Sequence, residues 1–332
     1  MSNDKFKDTA FIDIKGLAHF LSNFKETELL KYFQKDNINL ATNNDILSIF
    51  NKNYEEPEIP EAPEKIIPFD FYFIANKPST ISFNNAGLYS GTATYSDNSI
   101  YPSVIWIGLS KGNKLQLNTG DIIGFKGDLS PNSSEGIGTF SITGDVSVHG
   151  NPEVLLADNI LVNYAFSNLF NNCTGLTDAS KLEFNTTLKS YCYQYMFAGC
   201  TSLTKVADLP ATTPLSSCYQ SMFAGCTSLT EAPEIFLNNK GTGSSMLGIE
   251  YAADAMKFMF NGCSSLNYIK CHMSQLEIKI AFYTFISLNW VSGVSSTGTY
   301  YKPSDASIET GTSGIPEGWT VKTFTIDSTD KK

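Results

Sequence analysis

A nine-residue block occurs twice, letter for letter: MFAGCTSLT at 196–204 and again at 222–230. A divergent copy, MFNGCSSLN, occupies 259–267, and a weaker one, LFNNCTGLT, occupies 169–177. This self-similarity constrains the fold more than any other feature. A unit this small cannot bury its own apolar face, so it must stack on its neighbours. Cys200 and Cys226 set a period of 26 residues, and Cys173 precedes Cys200 by 27. Cys263 follows Cys226 by 37, which leaves eleven extra residues in the last unit, assigned to Phe236–Gly248. That Gly/Ser/Asn-rich stretch reads as a surface loop. A period in the twenties suits a leucine-rich type of coil, whereas helix-pair arrays need more than roughly thirty residues per unit.

Each unit has two halves. In the first, Cys192/Met196, Tyr193/Phe197, Cys218/Met222 and Tyr219/Phe223 are each four apart, which predicts a short helical turn. In the second, apolar residues recur every third position: Leu176/Ala179/Leu182, Leu203/Val206/Leu209, Leu229/Ala232/Ile235 and Leu266/Ile269/His272. This comb reads as a short strand that turns a corner, ended by Pro210, Pro214 or Pro233. Between its teeth, Asp178, Lys205 and Glu231 fall in one column, and Lys181, Asp208 and Glu234 in the next. Opposite signs on neighbouring strands set register. Asp178, Lys205, Asp208, Glu231 and Glu234 are also the candidate ligand face.

The run MFAGCTSLTKVADLPATTPLSSCYQSMFAGCTSLTEAPEI resembles the BspA-like leucine-rich repeats of gut Bacteroidales and their phages. The segment from Leu266 to Val321, with NWVSGVSSTGTYYKPSD and GTSGIPEGWTV, is similar to the stretch that closes such arrays. The resemblance covers Leu161–Val321. It departs at the first unit and at Ala255, which stands where other units carry Cys. It implies surface display and adhesion, and it brings no catalytic residues. Within it, Tyr300 and Tyr301 join Asp178, Lys205, Asp208, Glu231 and Glu234 as candidate ligand-face residues, since exposed Tyr can stack on sugars or anchor a protein.

Ahead of the repeats the chain changes character twice. Residues 1–53 carry an apolar stripe, Leu17, Phe20, Leu21, Phe24, Leu30 and Phe33, followed by a second short helix presenting Phe50. A hairpin of this size needs partners for its apolar load, so these residues are the expected attachment and oligomerisation segment, forming a homotrimer. Its GLAHFLSNFK…LATNNDILSIF is loosely similar to the attachment ends of tailed-phage fibres. Residues 54–68, with Pro57, Pro60 and Pro63, read as an acidic polyproline spacer. Residues 69–150 read as a β-sandwich-like domain with candidate strands FDFYFIA, STISFNN, SVIWIGL, KLQLN, DIIGFKGD and GTFSITGDVSVHG. Residues 151–332 are the expected repeat solenoid with its terminal cap. The fold class expected is therefore multidomain α+β: helical N-terminal segment, β-sandwich-like domain, leucine-rich-repeat solenoid.

The net charge is −10, and all 23 basic residues are lysine. Without arginine there is no bidentate clamp for phosphate or guanine, which argues against nucleic-acid binding. The seven cysteines include no CxxC pair, and His19, His149 and His272 lie in separate regions. No transition-metal site, nucleophile motif or phosphate loop is visible, so neither a cofactor nor an enzyme is expected. The cysteines are expected to be buried thiols. No run of 18 apolar residues exists, and MSNDKFKDTAFIDIKG has no apolar signal core, so no membrane insertion is expected. The expectation that follows is a phage virion fibre or adhesin, on the virion surface after assembly in the host cytoplasm. Its partners would be a capsid or tail protein and a bacterial surface glycan or protein. A non-adhesive capsid or tail decoration and a bacterial surface adhesin are the alternatives.

Overall fold

The structure is a computed structural model that describes residues 66–94, 102–132, 135–237, 253–273 and 287–325. The chain divides into two compact units, Met1–Glu64 and Lys65–Lys332, and everything described here belongs to the second. The expected helical segment with Leu17, Phe20, Leu21, Phe24, Leu30, Phe33 and Phe50, most of the proline spacer and most of the 236–248 loop lie outside the described residues.

Eight strands come first: β1 (Phe71–Ala75), β2 (Ser79–Phe83), β3 (Leu88–Thr94), β4 (Ser103–Gly108), β5 (Lys114–Leu117), β6 (Ile122–Gly127), β7 (Phe140–Thr143) and β8 (Val146–Gly150). The repeats and terminal segment add β9 (Leu176–Leu182), β10 (Lys205–Val206), β11 (Tyr268–Lys270), β12 (Thr299–Pro303) and β13 (Thr320–Phe324). A three-stranded sheet, β5-β2-β7, packs on the seven-stranded sheet β10-β9-β8-β1-β6-β3-β4. Period-two alternation in β1 and β2 turns Phe71, Phe73, Ile81 and Phe83 into the space between them. Strand β3, LYSGTAT, is absent from the strands expected from the sequence, and it carries Gly91 at its centre. The glycine is required there: a Cβ on Gly91 would lie 2.8 Å from the Trp106 ring and 3.0 Å from Phe69.

The seven-stranded sheet continues across residue 150. Its antiparallel half ends at β8, which pairs with β1 on one side and, in parallel, with β9 on the other. β9 then pairs in parallel with β10. Further parallel bridges, Leu209 to Ile235 and Ile235 to Cys271, carry the stacking to the β11-β12-β13 sheet.

The α+β fold class is overturned. Among the described residues there is no α-helix, and the solenoid with a helical turn in each repeat is not what the chain builds. The half of each repeat read as helix is a run of overlapping β-turns. In one repeat Cys192, Gln194, Met196, Ala198 and Cys200 each donate their N–H to the carbonyl three residues back. The intervening N–H groups, from Tyr191, Tyr193, Tyr195, Phe197 and Gly199, donate instead to carbonyls of the next repeat. Every fourth residue is left-handed: Tyr191, Tyr195, Gly199, and again Ser217, Ser221, Gly225. The four-residue spacing in the sequence is therefore real, but it is the spacing of turns. A helix keeps its N–H groups to itself, whereas here alternate N–H groups bond across to the next repeat.

Stacked rings form a spine. Phe140 of β7 stacks on Phe170 at 5.7 Å between centroids, Phe170 on Phe197 at 5.4 Å, Phe197 on Phe223 at 5.5 Å and Phe223 on Phe260 at 5.4 Å. Trp290 closes the column at 5.8 Å from Phe260, and its indole N–H donates to the Gly314 carbonyl. A thiol ladder runs beside it. The Sγ of Cys173, Cys200, Cys226 and Cys263 donates to the carbonyl of Phe140, Phe170, Phe197 and Phe223 respectively, at 3.0–3.1 Å. Phe140 thus serves the sandwich core with one side of its ring and acts as the zeroth rung of the repeats with the other.

All seven cysteines are free and buried. Burial pushes the thiols of Cys200, Cys218 and Cys263 up to about 12 and that of Cys271 to about 11. A thiol reagent at pH 8 should therefore label none of the seven in the native protein and all seven in denaturant. Rapid labelling of Cys226 without denaturant would contradict the ladder.

Candidate functional site

The comb fixes what faces out. In β9, Leu176, Ala179 and Leu182 are buried, which leaves Asp178 and Lys181 on the outer surface. Parallel register then lines up the outer residues of successive strands. Asp178 lies opposite Lys205, and further along the stack Glu231 lies opposite Tyr268, Tyr268 opposite Thr299, and Thr299 opposite Thr320. In the second column Lys270 lies opposite Tyr301, and Tyr301 opposite Lys322.

Four of the seven candidate ligand-face residues, Lys205, Asp208, Glu231 and Glu234, line one groove of about 350 Å3 together with Tyr268 and Lys270. Asp178 lies on the same outer surface beyond it. Tyr301 borders the groove through its ring contact with Tyr268, at 5.3 Å, and Lys322 lies over its ring at 5.4 Å. Tyr300 does not belong to the face. Strand alternation turns it inward, where it is fully buried and edge-on to Trp290. One of two adjacent tyrosines in a strand must point the other way.

Glu234 is the best-held charge in the groove. Its Oε1 receives Lys270 Nζ at 2.5 Å and His272 Nε2 at 2.5 Å, while its backbone N–H donates to Asp208 Oδ1 at 2.9 Å. His272 is itself clamped between Phe236, stacked at 4.5 Å, and Phe324. Burial acts to raise the Glu234 carboxyl, but the hydrogen bonds and charges of Lys270 and His272 outweigh it, so the group is held below its ordinary value. Lys270 was not expected here. Counting from Ile235 puts His272 in the next position of that column, yet the structure places Cys271 opposite Ile235. The repeat with Pro233 spends one residue more between its two bridges, from Glu231 to Ile235, than the next does from Tyr268 to Cys271.

A second groove, of about 780 Å3, lies where β1, β8 and β9 meet. Tyr72 and His149 are cross-strand partners with rings stacked at 4.9 Å, and His149 lies opposite Lys181. His149 Nε2 is 3.1 Å from Ser147 Oγ. Burial lowers the imidazole from its ordinary value; Asp178 opposes this and Lys181 reinforces it. Alternation along FDFYFIA already turns Tyr72 away from the core. What the sequence could not show is that β8 brings His149 beside both Tyr72 and Lys181.

Among the described residues, no three His, Cys, Asp or Glu side chains gather to hold a metal ion, and no helix is long and apolar enough to cross a membrane. No protein-family model, no curated protein and no solved structure matches this chain.

The depressed carboxyl of Glu234 gives stability a definite pH dependence. A carboxylate with a lowered folded-state value stabilises fully above its unfolded value, about 4.3, and loses that contribution as pH falls through the folded value. Glu234→Gln should cost about 1 kcal/mol at pH 7, the scale of a partly exposed pair. The gap from the unsubstituted protein in urea unfolding should narrow below pH 4.3. A gap that widens in acid would show that Lys270 and His272 do not stabilise the ionised form.

Proposed function

We propose that this chain is a non-enzymatic phage virion fibre or fibre-like adhesin. In this reading it is anchored to a capsid or tail protein through its N-terminal segment and displayed on the virion surface as a homotrimer. Its stacked repeats meet a glycan or protein of a bacterial surface. One observation carries the reading: the outer residues of β1, β8, β9 and β10, and beyond the bridges at Glu231 and Ile235 those of β11 to β13, carry mixed charges, tyrosines and hydroxyls, and two grooves lie among them. Stacked repeats produce long surfaces of this kind, which suit recognition more than chemistry. The buried thiols, with their raised values, supply no nucleophile. The repeat resemblance implies surface display, and the N-terminal similarity to fibre ends supplies the virion setting. Weak arms gain from tethering, because each further contact becomes intramolecular.

Labelled full-length protein should bind a subset of Bacteroidales isolates. The double substitution Tyr268→Ser, Tyr301→Ser should lower that binding at least tenfold without changing the melting temperature. Equal binding by the double variant would remove this surface from adhesion, and binding to no isolate would remove adhesion itself. Light scattering should give three times the monomer mass for the full chain and the monomer mass for a chain beginning at Lys65. Monomers in both cases would rule out tethering as the source of avidity.

A further inference from the structure

We propose that the groove at the junction of β1, β8 and β9 is a binding site for an uncharged saccharide. It rests on the adhesin reading only for its biological setting. The groove lies on the same outer surface as the charge columns, but none of the candidate ligand-face residues lines it.

Its walls have the chemistry that sugars require. The stacked Tyr72–His149 pair supplies an apolar wall with polar tips, against which the C–H edge of a pyranose can lie. Around it stand Lys181, a donor only; Glu153 and Glu183, acceptors only; and Asn159, whose amide does both. A sugar hydroxyl both donates and accepts, so a ring of mixed partners satisfies it where a cluster of one kind would not. The volume of the groove, about 780 Å3, is within the usual range of ligand sites.

The sign of the local field narrows the class. Asp70, Glu153 and Glu183 face Lys181 and His149, so three carboxylates leave the groove net negative in either state of the imidazole. Phosphate, sulfate and sialic acid are disfavoured there. A lysine-rich peptide would suit the charge, but one carboxylate is already engaged: Glu153 Oε1 accepts the Asn185 amide at 2.6 Å. Lys181 stands in the groove against a second cation.

The framework is rigid. Gly150, at φ 84°, forms part of the lining, and a Cβ there would sit 1.9 Å from the Asp70 carbonyl, so β8 approaches β1 only because this residue is glycine. The Glu183 N–H donates to the Gly150 carbonyl at 2.9 Å, which fixes the far edge.

The test is saturation-transfer NMR on the full chain with methyl glycosides of glucose, galactose and mannose, with N-acetylglucosamine, and with sialic acid as the anionic probe. Transfer to at least one neutral sugar is expected and none to sialic acid. Glu183→Gln, on an exposed side chain, should weaken the signal at least fivefold, as should Tyr72→Ala. Glu317→Gln, on an exposed side chain outside both grooves, should leave it unchanged. Should Tyr72→Ala fail to fold, Glu183→Gln decides alone. No transfer to any neutral sugar, a preference for sialic acid, an unaffected Glu183→Gln, or salt-sensitive binding of a lysine-rich peptide in place of sugar would each overturn the assignment. Cell binding without sugar binding would overturn this site and leave the adhesin reading standing. Sugar binding without cell binding would do the reverse.

Discussion

The separation of about 5.5 Å between stacked rings is the constraint from which the rest of the structure follows. Flat rings at corresponding positions attract one another most when offset or tilted, each pair adding about 0.5–1.5 kcal/mol beyond the burial of its area. A helix on the turn side would keep its N–H groups within one repeat. The backbone instead splits its N–H groups, alternate ones closing turns and the rest bonding to the next repeat. The left-handed residue at every fourth position is the geometric cost of that split, and glycine takes it directly before each ladder cysteine, at Gly199, Gly225 and Gly262. The thiol ladder follows too. A cysteine is small enough to stand beside the ring column, and its Sγ gives the Phe carbonyl of the previous rung a partner.

The same constraint explains how the array begins and ends. A stack of parallel strands leaves an edge at each end, and open edges pair indiscriminately. At the start, β7 and β8 imitate a rung: Phe140 supplies the ring and the carbonyl, and β8 supplies the parallel strand. At the finish, Trp290 covers the last ring while β12 and β13 extend the strand side. The sandwich and the repeats consequently share one sheet and one core, and both grooves open on a single surface that neither part would form alone.

The outer surface reflects a division of labour within each repeat. Every third residue of the strand segment is committed to the core, so the residues between are free to carry charge. Their columns set register, as at Asp178 and Lys205, and they hold ion pairs, as at Glu234 with Lys270 and His272. Surface pairs of this kind contribute little to stability. Their effect on what approaches the face is larger, since a row of alternating sign admits polar neutral ligands more readily than polyanions.

The repeat period, most of the comb of buried residues, the burial of the cysteines and the Asp178–Lys205 pairing were legible in the sequence, because each repeats at intervals that one chain segment fixes locally. Most of the sandwich strands were legible for the same reason, alternation being a local property. The α-helical turn was misread because a four-residue spacing is common to helices and to successive β-turns. Only the neighbouring rung, by accepting every second N–H, decides between them. Strand β3 was not read from the sequence, and the purpose of its Gly91 is visible only once Trp106 and Phe69 lie over it. The sequence paired Tyr300 with Tyr301 on one face, and strand pleating separated them. The Tyr72–His149–Lys181 row was beyond any reading of the sequence, since these residues are 32 or more apart. The sequence by itself determined which residues repeat and which must be buried. The tertiary structure decided which outer residues become neighbours, because that depends on register between strands, and register is set by contacts across rungs that no single segment contains.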